Sequence, residues 1–445
     1  MNRKLNLLFA VSLSLAGVAA AQDSTMAPTA AQFNALNDSY MKTKAVVDKM
    51  SRISAGGYIQ AQYQLADSLG AKAPVDGGAF GAQTDSRFLV RRARMNVKYN
   101  GVDTKLVLEV DVSGNTLTWE DAYAQFTEPF WHSISLTVGN QNQPYGFEIQ
   151  QSSSAMEWVE RSRLEQNIFH GEKDLGAVIG INPTKDMGVA SYLNLSAGLF
   201  NGAEGGQVAV PNTTANPNSA VNPTGVAVNN KLNFIGRLGV KAPMPDMGFE
   251  VDGGVSAYIG YAQDAAGTHL KTISEADGDS MVATTGDSLK YYTRDAFGGD
   301  LQVTYKIPVI GNMQLRGEYT AGVAPTTASG TTPYGNSVLP LVTRNFEGWY
   351  AAWIQNFTDM FQTVVRYDEY DPNTDVSGTS ITKAKGFTTN DIKYDDWGLG
   401  LNYIYNPNLK FLAWVTIPTN ETTGLAGYTD SYSGTVYTFR MQVKI

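Results

Sequence analysis

Cysteine is absent from the 445 residues, and histidine occurs only 3 times. The first absence excludes a disulfide-stapled scaffold and a thiol nucleophile. The histidines, His132, His170 and His269, are scattered and show no metal-ligand spacing. Charged residues make up 17%, below the roughly 25% of ordinary globular domains. Beyond the N-terminus no apolar run approaches the ~20 residues a transmembrane helix needs. No glycine-rich phosphate cradle precedes a helix, and Ser152–Ser154 reads as loop composition, not a nucleophile elbow. These absences leave an enzyme without its chemistry.

What the sequence does contain begins with an address. Arg3 and Lys4 precede the apolar stretch Leu5–Gly17, and Ala19–Ala21 supply small residues before Gln22. Residues 1–21 therefore read as an export signal; a buried first helix is the alternative. Removing them takes the 33 basic residues to 31 against 42 acids, a net charge of about −11, which gives no support for nucleic-acid binding. Residues 22–52 form a separate segment. Phe33, Leu36, Tyr40, Thr43, Val47 and Met50 recur at steps of three and four, which predicts a periplasmic helix with one apolar stripe. A short trimeric coiled coil is a second reading of the same stripe.

From Ile53 the period becomes two. Ile53, Ala55, Gly57, Ile59, Ala61 and Tyr63 alternate with Ser54, Gly56, Tyr58, Gln60, Gln62 and Gln64. Similar runs begin near Arg87, Thr104, Leu117, His132, Leu175, Met187, Lys231, Met247, Tyr291, Asn312, Asn345, Met360, Lys393, Leu409 and Gly434. Their lengths suit tilted strands crossing a bilayer, which need about 9–11 residues. Tight turns such as Asn100–Gly101, Asn182–Asp186, Pro308–Gly311 and Asn406–Asn408 alternate with long polar segments near 65–86, 140–174, 201–229, 262–290, 321–344, 371–392 and 418–433. The fold class is therefore all-β: a 16-stranded antiparallel transmembrane β-barrel over residues 53–445, with both chain ends on the short-turn, periplasmic side.

The last strand sorts its faces cleanly. Tyr437, Phe439, Met441, Val443 and Ile445 point one way, and Thr438, Arg440, Gln442 and Lys444 the other. Sixteen strands enclose a space too wide for side chains to fill, so the polar face lines water and the apolar face meets lipid. Carrying that parity along the chain puts Arg92, Arg94, Lys98, Lys105, Lys231, Arg237, Lys241, Arg294, Lys306, Arg316, Arg366, Lys410, Arg440 and Lys444 on the lumen wall. Its acids are Glu109, Asp111, Asp121, Glu250, Asp252, Asp300, Glu318, Glu347, Asp368 and Asp396. Fourteen bases against ten acids, inside an acidic protein, predict a weak preference for anions.

Several stretches resemble the porin O/P family of phosphate-selective porins of diderm bacteria: Phe88–Arg94 (FLVRRAR), Trp119–Tyr123 (WEDAY), Val138–Gly146 (VGNQNQPYG), Glu160–Ser162 (ERS), Arg366–Asn373 (RYDEYDPN) and Gly400–Asn408 (GLNYIYNPN). Together they cover most of residues 53–445. The resemblance implies an outer-membrane homotrimer of 16-stranded barrels whose third extracellular loop folds into the pore. Residues 140–174 are the segment placed to do so. Glu157, Glu160, Arg161, Arg163, Glu165, Glu172 and Lys173 concentrate both signs of charge there. Arg161, Arg163, Glu157, Glu160 and Glu165 are the candidate constriction residues; a solvated surface loop is the alternative. Arg92, Arg94, Lys98, Lys105, Arg316, Arg366 and Arg440 are the candidate pore wall. The acidic net charge, and a lysine–arginine ladder that cannot be matched residue by residue, separate this chain from phosphate-specific members.

The expected function is passive diffusion of small hydrophilic solutes or ions across an outer membrane, with a preference for anions or phosphate left open and lipid as the surrounding partner. A non-conducting structural or adhesive barrel is the competing reading, distinguished by a plugged lumen and no ion current. No organic cofactor is expected; loop acids such as Asp277 and Asp279 offer a calcium site.

Overall fold

The computed structural model describes residues 29–445 except 73–76, 114–116, 170–171, 203–230, 265–266, 274–278, 286–289, 328–335, 338–339 and 432–433. The export signal, most of the 201–229 connection and Asp277 lie outside the described residues. Two units are distinguished, Met1–Ile53 and Ser54–Ile445. In the first, helix α1 (Ala30–Met50) starts at a capping box between Thr29 and Gln32, which satisfies otherwise orphaned N-terminal donors. Its apolar stripe of Phe33, Leu36, Tyr40, Val47 and Met50 is exposed.

The second unit is a closed antiparallel barrel. Its strands are β1 (Ile53–Ala66), β2 (Ser86–Asn100), β3 (Thr104–Asp111), β4 (Thr118–Thr127), β5 (Ile134–Asn142), β6 (Lys173–Ile181), β7 (Leu193–Phe200) and β8 (Asn233–Met244). They continue as β9 (Phe249–Asp264), β10 (Lys290–Ile307), β11 (Gly311–Thr327), β12 (Leu341–Asn356), β13 (Phe361–Asp371), β14 (Tyr394–Asn406), β15 (Leu409–Asn420) and β16 (Val436–Lys444). Each pairs with its neighbour in sequence, and β16 returns to β1 from Tyr58↔Lys444 to Ala66↔Val436. Closure removes the edge strands and pairs the backbone, as lipid requires.

All sixteen expected segments are barrel strands. The largest displacement is at β7, expected near Met187. A short 3₁₀ stretch, Lys185–Tyr192, comes first, bent at Gly188 with φ 60°, a conformation glycine adopts without steric cost. The polar segments 262–290 and 321–344 also carry unexpected short strands, Thr268–Ile273, Ser280–Thr285 and Asn336–Ser337. The first pairs in parallel with the start of β12, His269 opposite Leu341. Val376, Ile381, Phe387, Ile392 and Leu425 form a small apolar core in the long connections, with Met281, Tyr394 and Tyr428 packed against it.

Strict alternation misplaces a few charges. Glu347 faces outward and accepts from Tyr319 Oη at 3.1 Å, because Gly348 and Phe346 hold the inward positions. Lys231 precedes β8 instead of belonging to it, and its Nζ lies 4.0 Å from the Tyr261 ring centroid and 4.6 Å from that of Tyr291, a cation–π setting. On β2, Arg91 and Arg92 both reach the same inward carboxylate, Glu160, so the inward parity changes between them. On β4 the pairing slips at Glu109/Val110. This bulge turns both Glu120 and Asp121 into the lumen, where they meet Arg94 and Lys173.

Candidate functional site

The connection between β5 and β6, residues 143–172, folds into the barrel. Its entry is fixed by backbone donors. Gly146 N donates to Ser256 Oγ at 3.0 Å, and Phe147 N and Glu148 N donate to Glu318 Oε2 at 3.2 and 3.1 Å. Gly146 has φ 51°, and a Cβ there would stand 1.8 Å from Glu318 Oε1. Only glycine permits that approach.

Two apolar anchors hold the loop down. Tyr145, Ile149, Leu164, Ile168 and Phe169 join wall residues Val178, Phe200, Ile235, Tyr258 and Phe346. Further along, Met156, Trp158 and Val159 pack on Tyr350, Ile354, Val364, Leu412 and Trp414. The inner faces of β12, β13 and β15 thus carry apolar side chains among their polar ones, where the loop covers them. Burial of these side chains at about 25 cal/mol per Å² repays the ordering of the segment. Helix α2 (Arg163–Ile168), capped by Ser162, lies within this region.

The charges follow the same layout. Glu160 is bound by Arg91 at 2.7 Å, Arg92 at 2.8 Å and Arg440 at 3.2 Å. Glu157 pairs with Arg316 at 3.0 Å, and Arg163 with Asp396 at 3.2 Å. Arg366 lies 3.2 Å from Asp368 and 3.5 Å from Glu148, and donates to Glu160 O at 2.9 Å. Arg161 donates to Glu148 O at 3.1 Å and Gln151 O at 2.7 Å and pairs with Glu172. Arg92, Arg163, Arg316, Arg366 and Arg440 keep at most 7% of their side-chain exposure. Arg163 belongs to the loop and turns to the wall, and the other four are sealed behind the loop, away from open water.

Two loop carboxyls are driven in opposite directions. Burial opposes ionisation of Glu160, but Arg92, Arg91 and Arg440 outweigh it and hold the carboxyl well below the usual range. Glu165 is raised well above its ordinary value by burial, with Arg161 opposing and Glu148, Glu172 and Glu318 adding repulsion.

The opposite wall, β2–β4, carries partly exposed charges in rows. Arg94 stands beside Asp111; Asn96, Glu109 and Asp121 come next; then Lys98, Val107 and Tyr123; then Asn100, Lys105 and Gln125. Arg94 is shared by Glu120 at 2.7 Å, Asp111 at 3.1 Å and Glu109 at 3.6 Å, while Lys173 holds Asp121 at 2.5 Å. Toward the short-turn edge, Lys98 and Lys105 are half-buried and Lys306 and Lys444 are exposed. Among the described residues none of these four lysines forms an ion pair.

The family model of phosphate-selective porin O and P matches residues 72–445. This chain belongs to that family. The barrel is similar to the outer membrane channel DcaP of Acinetobacter baumannii, with TM-score 0.53 and 11% identity over 88% of this chain and 97% of that one. It is also similar to Pseudomonas putida OprB at high pH, with TM-score 0.56 and 9% identity over 92% and 97% of the two chains. At such identities the likeness shows the fold. No curated relative matches the chain in sequence. The protein is an outer-membrane porin, a β-barrel channel for passive diffusion.

Sequence reasoning overlooked Glu148, Arg91 and Glu120 in this porin. Glu148 had a signal: between Glu128 and Glu157 it is the only Asp, Glu, Lys or Arg. Arg91 and Glu120 had none, because a bulge is not written in the alternation.

Proposed function

We propose that this porin passes small hydrophilic solutes and ions between the inward loop and the β2–β5 wall, with a weak bias toward anions. The observation that carries the bias is the set of unpaired lysines, Lys98, Lys105, Lys306 and Lys444, near the periplasmic mouth. Charges beside the conduction path act at short range, whereas loop charges beyond a Debye length of about 8 Å are screened. The sealed arginines contribute little, since each is already matched by carboxylates or carbonyls of the loop. Phosphate would have to displace those partners, so the geometry favours general anion permeation over a phosphate-specific site. We further propose that the functional unit is a homotrimer, as the family resemblance implies, and that lipid surrounds its apolar outer face; cross-linking of the detergent-extracted protein tests the trimer. Purified protein in planar bilayers under a KCl gradient tests the channel and its bias. A reversal potential of anionic sign is expected, and cation selectivity at low salt would refute the bias.

A further inference from the structure

We infer that the inner face of β2–β4 is a binding strip for extended zwitterions, short peptides in chemical class, held ammonium-up and carboxylate-down. This rests on the reading that the β2–β5 side of the lumen is the open passage. The upper part of the strip carries four carboxylates, Glu109, Asp111, Glu120 and Asp121, against Arg94 on β2 and Lys173 on the nearby β6; Arg91 and Arg92 are turned to Glu160, and Arg161 and Glu172 pair within the loop. Its excess charge is negative. The lower part carries Lys98 and Lys105, neither of which forms an ion pair among the described residues, so its excess is positive.

The register sets the spacing. Glu109 and Asp121 are Cα partners; Val107 and Tyr123 are partners one row lower, beside Lys98; Lys105 lies one row lower again. At about 3.4 Å per residue, the acidic row stands roughly 7 Å from the Lys98 row and 14 Å from the Lys105 row. A three-residue peptide spans at most about 10 Å, so its charged ends reach from one zone to the other. Tyr123, in the Lys98 row, holds Lys105 Nζ 5.9 Å from its ring centroid, offering an aromatic surface to the peptide body. Because β2 descends to the Asn100–Gly101 turn, the lysines are on the periplasmic side. A peptide entering from outside is therefore drawn carboxylate first.

The test is block of the KCl current through the reconstituted porin at low salt by triglycine, compared with N-acetyl-triglycine, triglycine amide and the doubly blocked peptide. Triglycine should block at concentrations lower by about three-fold or more than either singly blocked analogue, the scale of one exposed charge contact. High salt should erase the difference. In a Lys98→Gln/Lys105→Gln double variant, checked for folding by heat-modifiable migration, the preference over triglycine amide should be lost while that over N-acetyl-triglycine is retained. Equal block by triglycine and the doubly blocked peptide, with a normal KCl current, would overturn the strip while leaving the channel intact. No KCl current at all would overturn the open passage and the strip with it.

Discussion

Arg92 on β2 donates to Glu160 of the inward loop at 2.8 Å, with 6% and 3% of their side chains exposed. Arg91 and Arg440 complete the cage, so one carboxylate ties the loop to β2 and β16, the two strands that flank β1.

Replacing Glu160 with Gln leaves three guanidiniums without their counter-charge. Breaking a buried pair from one side costs about 3–5 kcal/mol. The temperature of heat-modifiable migration should fall, and single-channel recordings should become noisier as the loop loosens. Unchanged recordings and migration would mean the cage does not hold the loop.

Acidity separates Glu160 from Glu165. The folded-state carboxyl of Glu160 is depressed, with burial opposed by Arg92, Arg91 and Arg440. Its stabilisation is therefore complete above the unfolded value of about 4.3 and is lost only as pH falls well below it. Glu165 is raised, chiefly by burial, so its neutral form favours folding at low pH and that contribution is lost as pH climbs above about 4.3. Glu165→Gln should thus raise the unfolding temperature at neutral and alkaline pH, where Glu160→Gln lowers it. Measuring both variants from pH 4 to 9 checks the opposite signs.

Topology is testable without background, because the chain has no cysteine. Ser68→Cys and Thr379→Cys, in long connections, should react with an impermeant thiol reagent on intact cells. Asn182→Cys and Asn406→Cys, beside short turns, should not. The reverse pattern would invert the barrel.

Most of the fold was legible because a two-sided environment enforces the period-two pattern along every strand. The inward loop was legible as a length and a concentration of charge. What alternation could not supply was its consequence: Leu412, Trp414 and Val364 point inward because Trp158 and Met156 cover them. The same cover seals Arg92, Arg316, Arg366 and Arg440, residues that parity alone gives to the open wall. Lys98 and Lys105, on the uncovered side, form no ion pair among the described residues.

Selectivity should therefore respond to lysines more than to the arginines. Lys98→Glu with Lys105→Glu should move the reversal potential toward cations at low salt. Arg161, 4% exposed and bonded within its own loop, should act differently: Arg161→Glu places a charge beside Glu172 and should destabilise the loop before it retunes the pore. Loss of the low-salt anion bias in Arg161→Glu with normal heat-modifiable migration would give that residue a direct place in the pore.

The central claim is that the path for solutes runs along β2–β5 while the loop closes off β12–β16. Single cysteines probed with a charged thiol reagent during planar-bilayer recording test it most directly. Asn96→Cys and Gln125→Cys, on the partly exposed wall, should react and reduce the current in discrete steps. Asn402→Cys and Thr438→Cys, both at 0% exposure, should leave it unchanged. Current loss at Asn402→Cys and Thr438→Cys with none at Asn96→Cys and Gln125→Cys would contradict the account.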